Sequence, residues 1–194
     1  MANTHEQSGM NLGQAPNADE PFEYFDENGV LLGVKPRAQV HAEGLWHKSA
    51  HVFVFNDRDE LLIQKRAADK DLYAGVWDYS VGEHLQPGEG FESGAHRGLN
   101  EELGISNVHL EPLGDVRWSR WQGTKSGQGF IDCEIQQAFC ARYVGPVKPD
   151  PIEIALVWQI CSTVLRRWVA LSPESFTPWF VDEVSRLDWF LKGS

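Results

Sequence analysis

Residues 83–105 read EHLQPGEGFESGAHRGLNEELGI. The stretch opens as a Gly-rich loop, with Gly88 and Gly90 around Glu89, and passes into a helix that carries Arg97, Glu101 and Glu102 and stops at Gly104. Leu99 and Leu103 are one helical turn apart and share an inward face. Ser93 is the expected N-cap and Gly104 the expected C-cap. Adjacent Glu101 and Glu102 project about 100° apart around the helix. Both can lean to one side of a cleft and offer oxygens to a hard cation such as Mg2+. Arg97, one turn upstream, is placed to orient them.

This segment resembles the Nudix box, a loop-helix signature of the form G-x5-E-x7-R-E-U-x-E-E-x-G-U, where U is aliphatic. Glu89, Arg97, Leu99, Glu101, Glu102, Gly104 and Ile105 fall on it in register. An ordinary capped helix with a solvated acidic face would not bring loop, Arg and terminal Gly into that spacing. Two positions depart. Glu83 stands where the box opens with Gly, and Gly98 stands where it has the Glu after Arg, which in many members is a metal ligand or the general base. The resemblance implies an α/β Nudix fold, a mixed β-sheet sandwiched between helices.

The rest of the composition narrows the function classes. A chain of 194 residues, 42% hydrophobic, suits one domain with a sizeable core. No apolar run reaches ~18 residues, so no membrane partner is expected. The N-terminus lacks the basic-then-apolar order of a signal peptide. A net charge of −11 disfavours nucleic acid and anionic membranes as partners. Cys133, Cys140 and Cys161 form neither a metal-ligand spacing nor an even set, which fits a reducing cytoplasm. Monomer and homodimer both remain open.

In chain order, residues 1–20 are expected to be a disordered polar tail and residues 21–194 a single domain. Strands at 22–24 and 30–34 around the turn DENG make an N-terminal β-hairpin extension. A basic stretch covers 33–40. Strands follow at 51–56 and 61–65, then a charged loop with Arg66, Asp69, Lys70 and Asp71, and a short strand at 79–81. After the helix come strands at 108–113 and 115–121, a polar loop at 123–129, and a long alternating strand at 130–143, with 154–160 as its expected partner. Ser162 caps a short helix over 162–168. Ser172, Pro173 and Glu174 open a final helix with a stripe of Phe180, Val184, Leu187 and Leu191.

From about residue 22 to about residue 190 the order of segments LWHKSAHVFVFN, LLIQKRAADKDLYAGVWDYSV, FIDCEIQQAFCAR and SFTPWF is similar to that of the type I isopentenyl-diphosphate isomerases and their related hydrolases. The resemblance implies a divalent-metal site at His41, His47, His84, Asp132 and Glu134. It also implies a diphosphate clamp at Arg66 and Lys70, with Arg37 as a third cation. The residues agree in part. Asp132 and Glu134 are two apart in a strand and project to one face, leaving Ile131, Cys133 and Ile135 to pack on the other. Imidazole with carboxylate suits Mn2+, Zn2+ or Fe2+ better than Mg2+, and Arg holds phosphate in a bidentate way.

Two features set the chain apart from the isomerases. They carry a cysteine at the position of Gly82 that moves protons at carbon, which glycine cannot do. Glu174 stands where they have an aromatic that faces the developing carbocation. The expected function is therefore metal-dependent hydrolysis of a diphosphate linkage in a small molecule, an isoprenoid or a nucleoside derivative. Mg2+ or Mn2+ would be held by Glu101, Glu102 and Glu89, with Arg97 orienting them. Arg66 and Lys70 would hold the diphosphate, and Glu83 or Glu134 would serve as base toward water. Trp118 and Trp121 are candidates to stack a base or cover an isoprenoid. Two other readings are a module that binds diphosphates without cleaving them, since Gly98 thins the acid set, and an isomerase with displaced catalytic groups. The products formed from isopentenyl diphosphate separate them.

Overall fold

In the computed structural model, residues 18–70, 72–125 and 128–186 are described. Most of the expected tail, Asp71, Leu187 and Leu191 lie outside them. The elements are β1 (Pro21–Phe25), β2 (Leu31–Pro36), α1 (Arg37–Glu43), β3 (Trp46–Phe55), β4 (Glu60–Arg66), β5 (Trp77–Asp78), β6 (Val81–His84), α2 (Phe91–Leu103), β7 (Glu111–Pro112), β8 (Arg117–Lys125), β9 (Gln128–Arg142), β10 (Ile154–Cys161), α3 (Ser162–Leu171) and α4 (Pro178–Arg186).

The spine is β3. Its sequence, WHKSAHVFVF, alternates so that Phe53 and Phe55 enter one core while Ala50, Val52 and Val54 enter the other. The first core lies under α3 and α4 and holds Leu165, Phe180 and Val184. The second lies under α2 and holds Leu99 and Leu103, both fully buried. The sheet is mixed and covered by helices on both faces, as the alternation requires.

One long edge of β3 runs parallel to β9, from Trp46 opposite Cys133 to Phe55 opposite Arg142. The other edge is shared by β6, from Ser49 opposite His84 to Val52 opposite Val81, and by the end of β4. β7 and β8 add antiparallel to β9, and β10 adds antiparallel to β4. The pairing of the long strand with 154–160 is thus corrected. Residues 154–161 pair with β4, because both edges of β9 are already taken, by β3 on one side and by β7 and β8 on the other.

Other boundaries move for local reasons. The basic stretch at 33–40 hides helix α1, ended by Gly44 in the left-handed conformation at φ 63°. β3 begins at Trp46 rather than at residue 51. The α2 helix starts at Phe91 after Gly90, with no side-chain cap from Ser93, and ends at Gly104 at φ 67° as expected. Ser162 lies inside α3, after Cys161. The strand expected at 108–113 shrinks to β7, and the polar loop at 123–129 is largely the ends of β8 and β9. Pro173–Ser175 is a separate 3-10 turn, and α4 is capped by Thr177, whose Oγ1 accepts from the Phe180 N–H at 3.3 Å. Among the described residues no helix is long and apolar enough to cross a membrane.

Candidate active site

α2 and β6 meet through Arg97. Its Nε donates to Glu89 Oε1 at 3.0 Å, and its Nη2 donates to Glu89 Oε2 and to the His84 carbonyl, both at 2.8 Å. Its Nη1 lies 3.1 Å from Glu83 Oε1 and 3.3 Å from Glu101 Oε2. Arg97 is therefore a hub that orients acids. Glu89 does not join the cation-facing set expected of it. Both its oxygens are taken by Arg97, one also by the Gln86 N–H, and it is not part of the cavity wall.

The cavity beside this hub measures about 300 Å3. Glu83, Glu101, Glu102 and Glu153 face Arg37, Arg66 and Lys70 across it. Glu102 is 7% exposed, and its carboxylate accepts from the Gln64 amide at 3.1 Å. Burial, then the charges of Glu83 and Glu153, push its carboxyl well above the usual range. A set of buried acids in that condition is one that a cation would relieve. Glu83 and His84, expected in a loop, lie on β6, which gives them a fixed direction.

Glu83 also explains Gly98. A Cβ on Gly98 would meet Val81 Cγ1 at 2.8 Å, Glu83 Cβ at 2.9 Å and Glu83 Oε2 at 3.1 Å. The Glu83 side chain thus occupies the space that an acid at residue 98 would enter. Burial raises the Glu83 carboxyl from 4.5 to about 7, with Arg97 opposing the rise. The folded chain holds this proton more tightly than the unfolded one. The resulting stability is complete below pH 4.5 and is lost as pH rises through about 7. Between metal-free wild type and Glu83→Gln, the difference in unfolding free energy is expected to change by up to ~3 kcal/mol over this window. Parallel stability curves from pH 4.5 to 8 would contradict the burial of Glu83.

The diphosphate-clamp candidates converge here. Arg66 is held by the Leu72 carbonyl at 3.1 Å and by Asp78 Oδ2 at 3.3 Å. Asp78 is buried and also accepts from Thr177, from Trp179 Nε1 and from the Tyr79 N–H, which locks α4 to β5. Lys70 pairs with Glu153 across the wall. Arg37 starts α1, and its Nε is buried without a hydrogen-bond partner.

A smaller compartment continues from the first through Arg37, Arg66, Gly82, Glu83 and His84. His41 from α1, His47 from β3, His84 from β6, and Asp132 and Glu134 from β9 converge there. His47 Nε2 lies 3.4 Å from His41 Nε2 and 3.5 Å from Asp132 Oδ1, and His84 Nε2 lies 3.5 Å from Glu134 Oε1. Burial lowers His41 to about 2 and His84 to about 3, so both imidazoles offer lone pairs at neutral pH. Burial raises Asp132, whereas on Glu134 the contacts of His51 and His84 together outweigh burial and hold it low. Asp132 Oδ1 and His84 Nε2 are buried with no hydrogen-bond partner among the described residues. Neutral imidazoles and orphaned donor atoms aimed at one point fit a divalent cation.

Three expectations at the site are corrected. Trp118 packs on Trp46 and is 42% exposed, while Trp121 packs against a core; neither wall includes them. Glu174 is exposed on the 3-10 turn, while Tyr79 and Trp179 line the smaller compartment. Trp179 and His51 escaped sequence reasoning. His51, 1% exposed, lies 3.6 Å from Glu134. Its two-residue spacing from Ser49 and four from His47 would have revealed a shared face, had β3 been started at Trp46.

Known proteins share this fold. The NUDIX domain family signature matches residues 45–180. The isopentenyl-diphosphate Delta-isomerase of Mycolicibacterium vanbaalenii is 31% identical over 170 residues, covering 84% of this chain and 89% of that protein. The crystal structure of DR0079 from Deinococcus radiodurans superposes with a TM-score of 0.69 at 20% identity, covering 86% of this chain and 98% of that one. A Caenorhabditis elegans Ap4A hydrolase superposes with a TM-score of 0.52 at 15% identity, covering 76% and 98%.

Proposed function

The chain belongs to the Nudix domain family, and on that premise we propose that it is a divalent-cation-dependent hydrolase that cleaves a diphosphate linkage in a small molecule. The observation that carries this reading is the exchange between positions 83 and 98. The acid missing at Gly98 is supplied by Glu83, in the same space, beside Glu101 and Glu102. A box that had lost its chemistry would have no reason to keep a buried carboxylate there.

Glu101 and Glu102 would hold Mg2+ or Mn2+, with Glu83 beside them as the base. When bound, that cation neutralises phosphate charge and eases deprotonation of water. Arg37, Arg66 and Lys70 hold the diphosphate, with Arg66 already aimed by Asp78 and the Leu72 carbonyl. Arg97 keeps Glu83 and Glu101 in place. Glu83, which burial makes a better proton acceptor than an exposed carboxylate, takes the proton from water.

Isomerisation finds less support. A Cβ at Gly82 would meet Tyr79 Cε2 at 2.6 Å, so that position has no room for the cysteine. The named isomerase relatives leave isoprenoid diphosphates as the first substrates to try, with nucleoside diphosphate derivatives next. The test is release of phosphate from a panel of both, with Mg2+ and with Mn2+. Conversion of isopentenyl to dimethylallyl diphosphate without phosphate release, or no turnover of any compound, would overturn the proposal.

A further inference from the structure

His51 belongs to none of the roles above, yet it is aimed at one of the acids that matter. It sits on β3 with its ring fully buried, and Nε2 lies 3.4 Å from Ser49 Oγ and 3.6 Å from Glu134 Oε2. Glu134 is thereby flanked on both oxygens, by His84 at Oε1 and by His51 at Oε2. The ring of His51 is stacked on Tyr79, centroids 4.5 Å apart and planes 26° apart. Tyr79 in turn lies so close over Gly82 that no side chain fits there. Among the described residues His51 Nδ1 has no hydrogen-bond partner, so the stack and the Nε2 contacts carry the orientation of the ring.

We propose that His51 is a positioning residue: stacked on Tyr79, it donates Nε2–H to Glu134 Oε2 and so turns Oε1 toward the cation site formed with His41, His47 and His84. The inference rests on the reading of this compartment as a cation site. Groups that orient a ligand from behind typically change metal affinity 10- to 100-fold when removed. A carboxylate with one oxygen tied loses rotational freedom, and its other oxygen stays in register with the imidazoles. Gly82 acquires a reason in the same scheme, since it leaves the space in which Tyr79 supports His51.

The test is Mn2+ binding to the metal-free protein without substrate, followed by electron paramagnetic resonance, with melting curves run alongside. His51→Leu is expected to weaken the tighter, imidazole-coordinated Mn2+ about 10- to 100-fold, and His51→Asn, whose amide falls short of Glu134, to do the same. His51→Gln, which can still donate to Oε2, is expected to stay within a few-fold of wild type. Tyr79→Phe should keep the stack and the affinity, while Tyr79→Leu should lose part of it. Should His51→Leu fail to fold, His51→Asn and Tyr79→Leu decide. Wild-type affinity in folded His51→Leu or His51→Asn, or absence of an imidazole-coordinated Mn2+ in the wild type, overturns the inference. Phosphate release is a separate assay, so loss of the hydrolase reading alone would leave intact Mn2+ binding with no turnover.

Discussion

Glu102→Gln will lower phosphate release by about 10³-fold, ~4 kcal/mol of transition-state stabilisation, and will do so without lowering the melting temperature. The two halves of that expectation come from one fact. Glu102 is buried, with an amide for a partner and two acids nearby, so its charge is a burden on the metal-free fold. Removing the charge relieves that burden, and the melting temperature should hold or rise. The same charge is what a cation requires. A residue whose loss improves stability and abolishes turnover is retained for chemistry. Activity within tenfold of wild type in Glu102→Gln, at saturating Mg2+, would refute the cation assignment.

The second large effect is non-additive. Gly98→Glu alone places a Cβ into Val81 and the Glu83 side chain, and overpacking of this kind costs about 1–3 kcal/mol. It also sets a new carboxylate against Glu83. Glu83→Gly alone opens a cavity beside Gly98 and takes an acid from the site. Each single variant is expected to lose at least ~100-fold in turnover, by analogy with the loss of a general base. The double variant Glu83→Gly/Gly98→Glu restores the order of acids in the box and should recover at least tenfold over either single one. Such coupling is read directly from a double-mutant cycle. Additive losses would mean that Glu83 and Gly98 are unrelated departures, and a Glu83→Gln variant with wild-type turnover would remove the compensation altogether.

How much of this was legible beforehand varies residue by residue. The α2 helix was legible because its signals are local: Leu99 and Leu103 a turn apart, and Gly104 at the only backbone angle that ends it there. Asp132 and Glu134 were legible as a pair because strand alternation is also local. Glu89 has the spacing of the cation-facing acids, but in the fold both its oxygens meet Arg97. Strand neighbours were the weakest inference. β9 pairs along one edge with β3, and no hairpin signal links segments so distant in the chain. Helix α1 was hidden because a seven-residue helix with one buried side chain, Val40, carries almost no periodic pattern. His51 was missed through a boundary placed too late, and Trp179 because its Nε1–Asp78 bonds are formed across the whole molecule.

The parallel union of β3 with β9 has a consequence for the order in which the molecule is made. His47 and Glu134 face one another across it, although they stand roughly 85 residues apart in sequence. Closing a loop of that length is entropically slow, and non-local pairings of this sort are late events in folding. The helix with its acids can form early, but the imidazole compartment exists only once the two strands have met. A nascent chain lacks that compartment, so a cation held there as proposed would act as a latch on a completed structure.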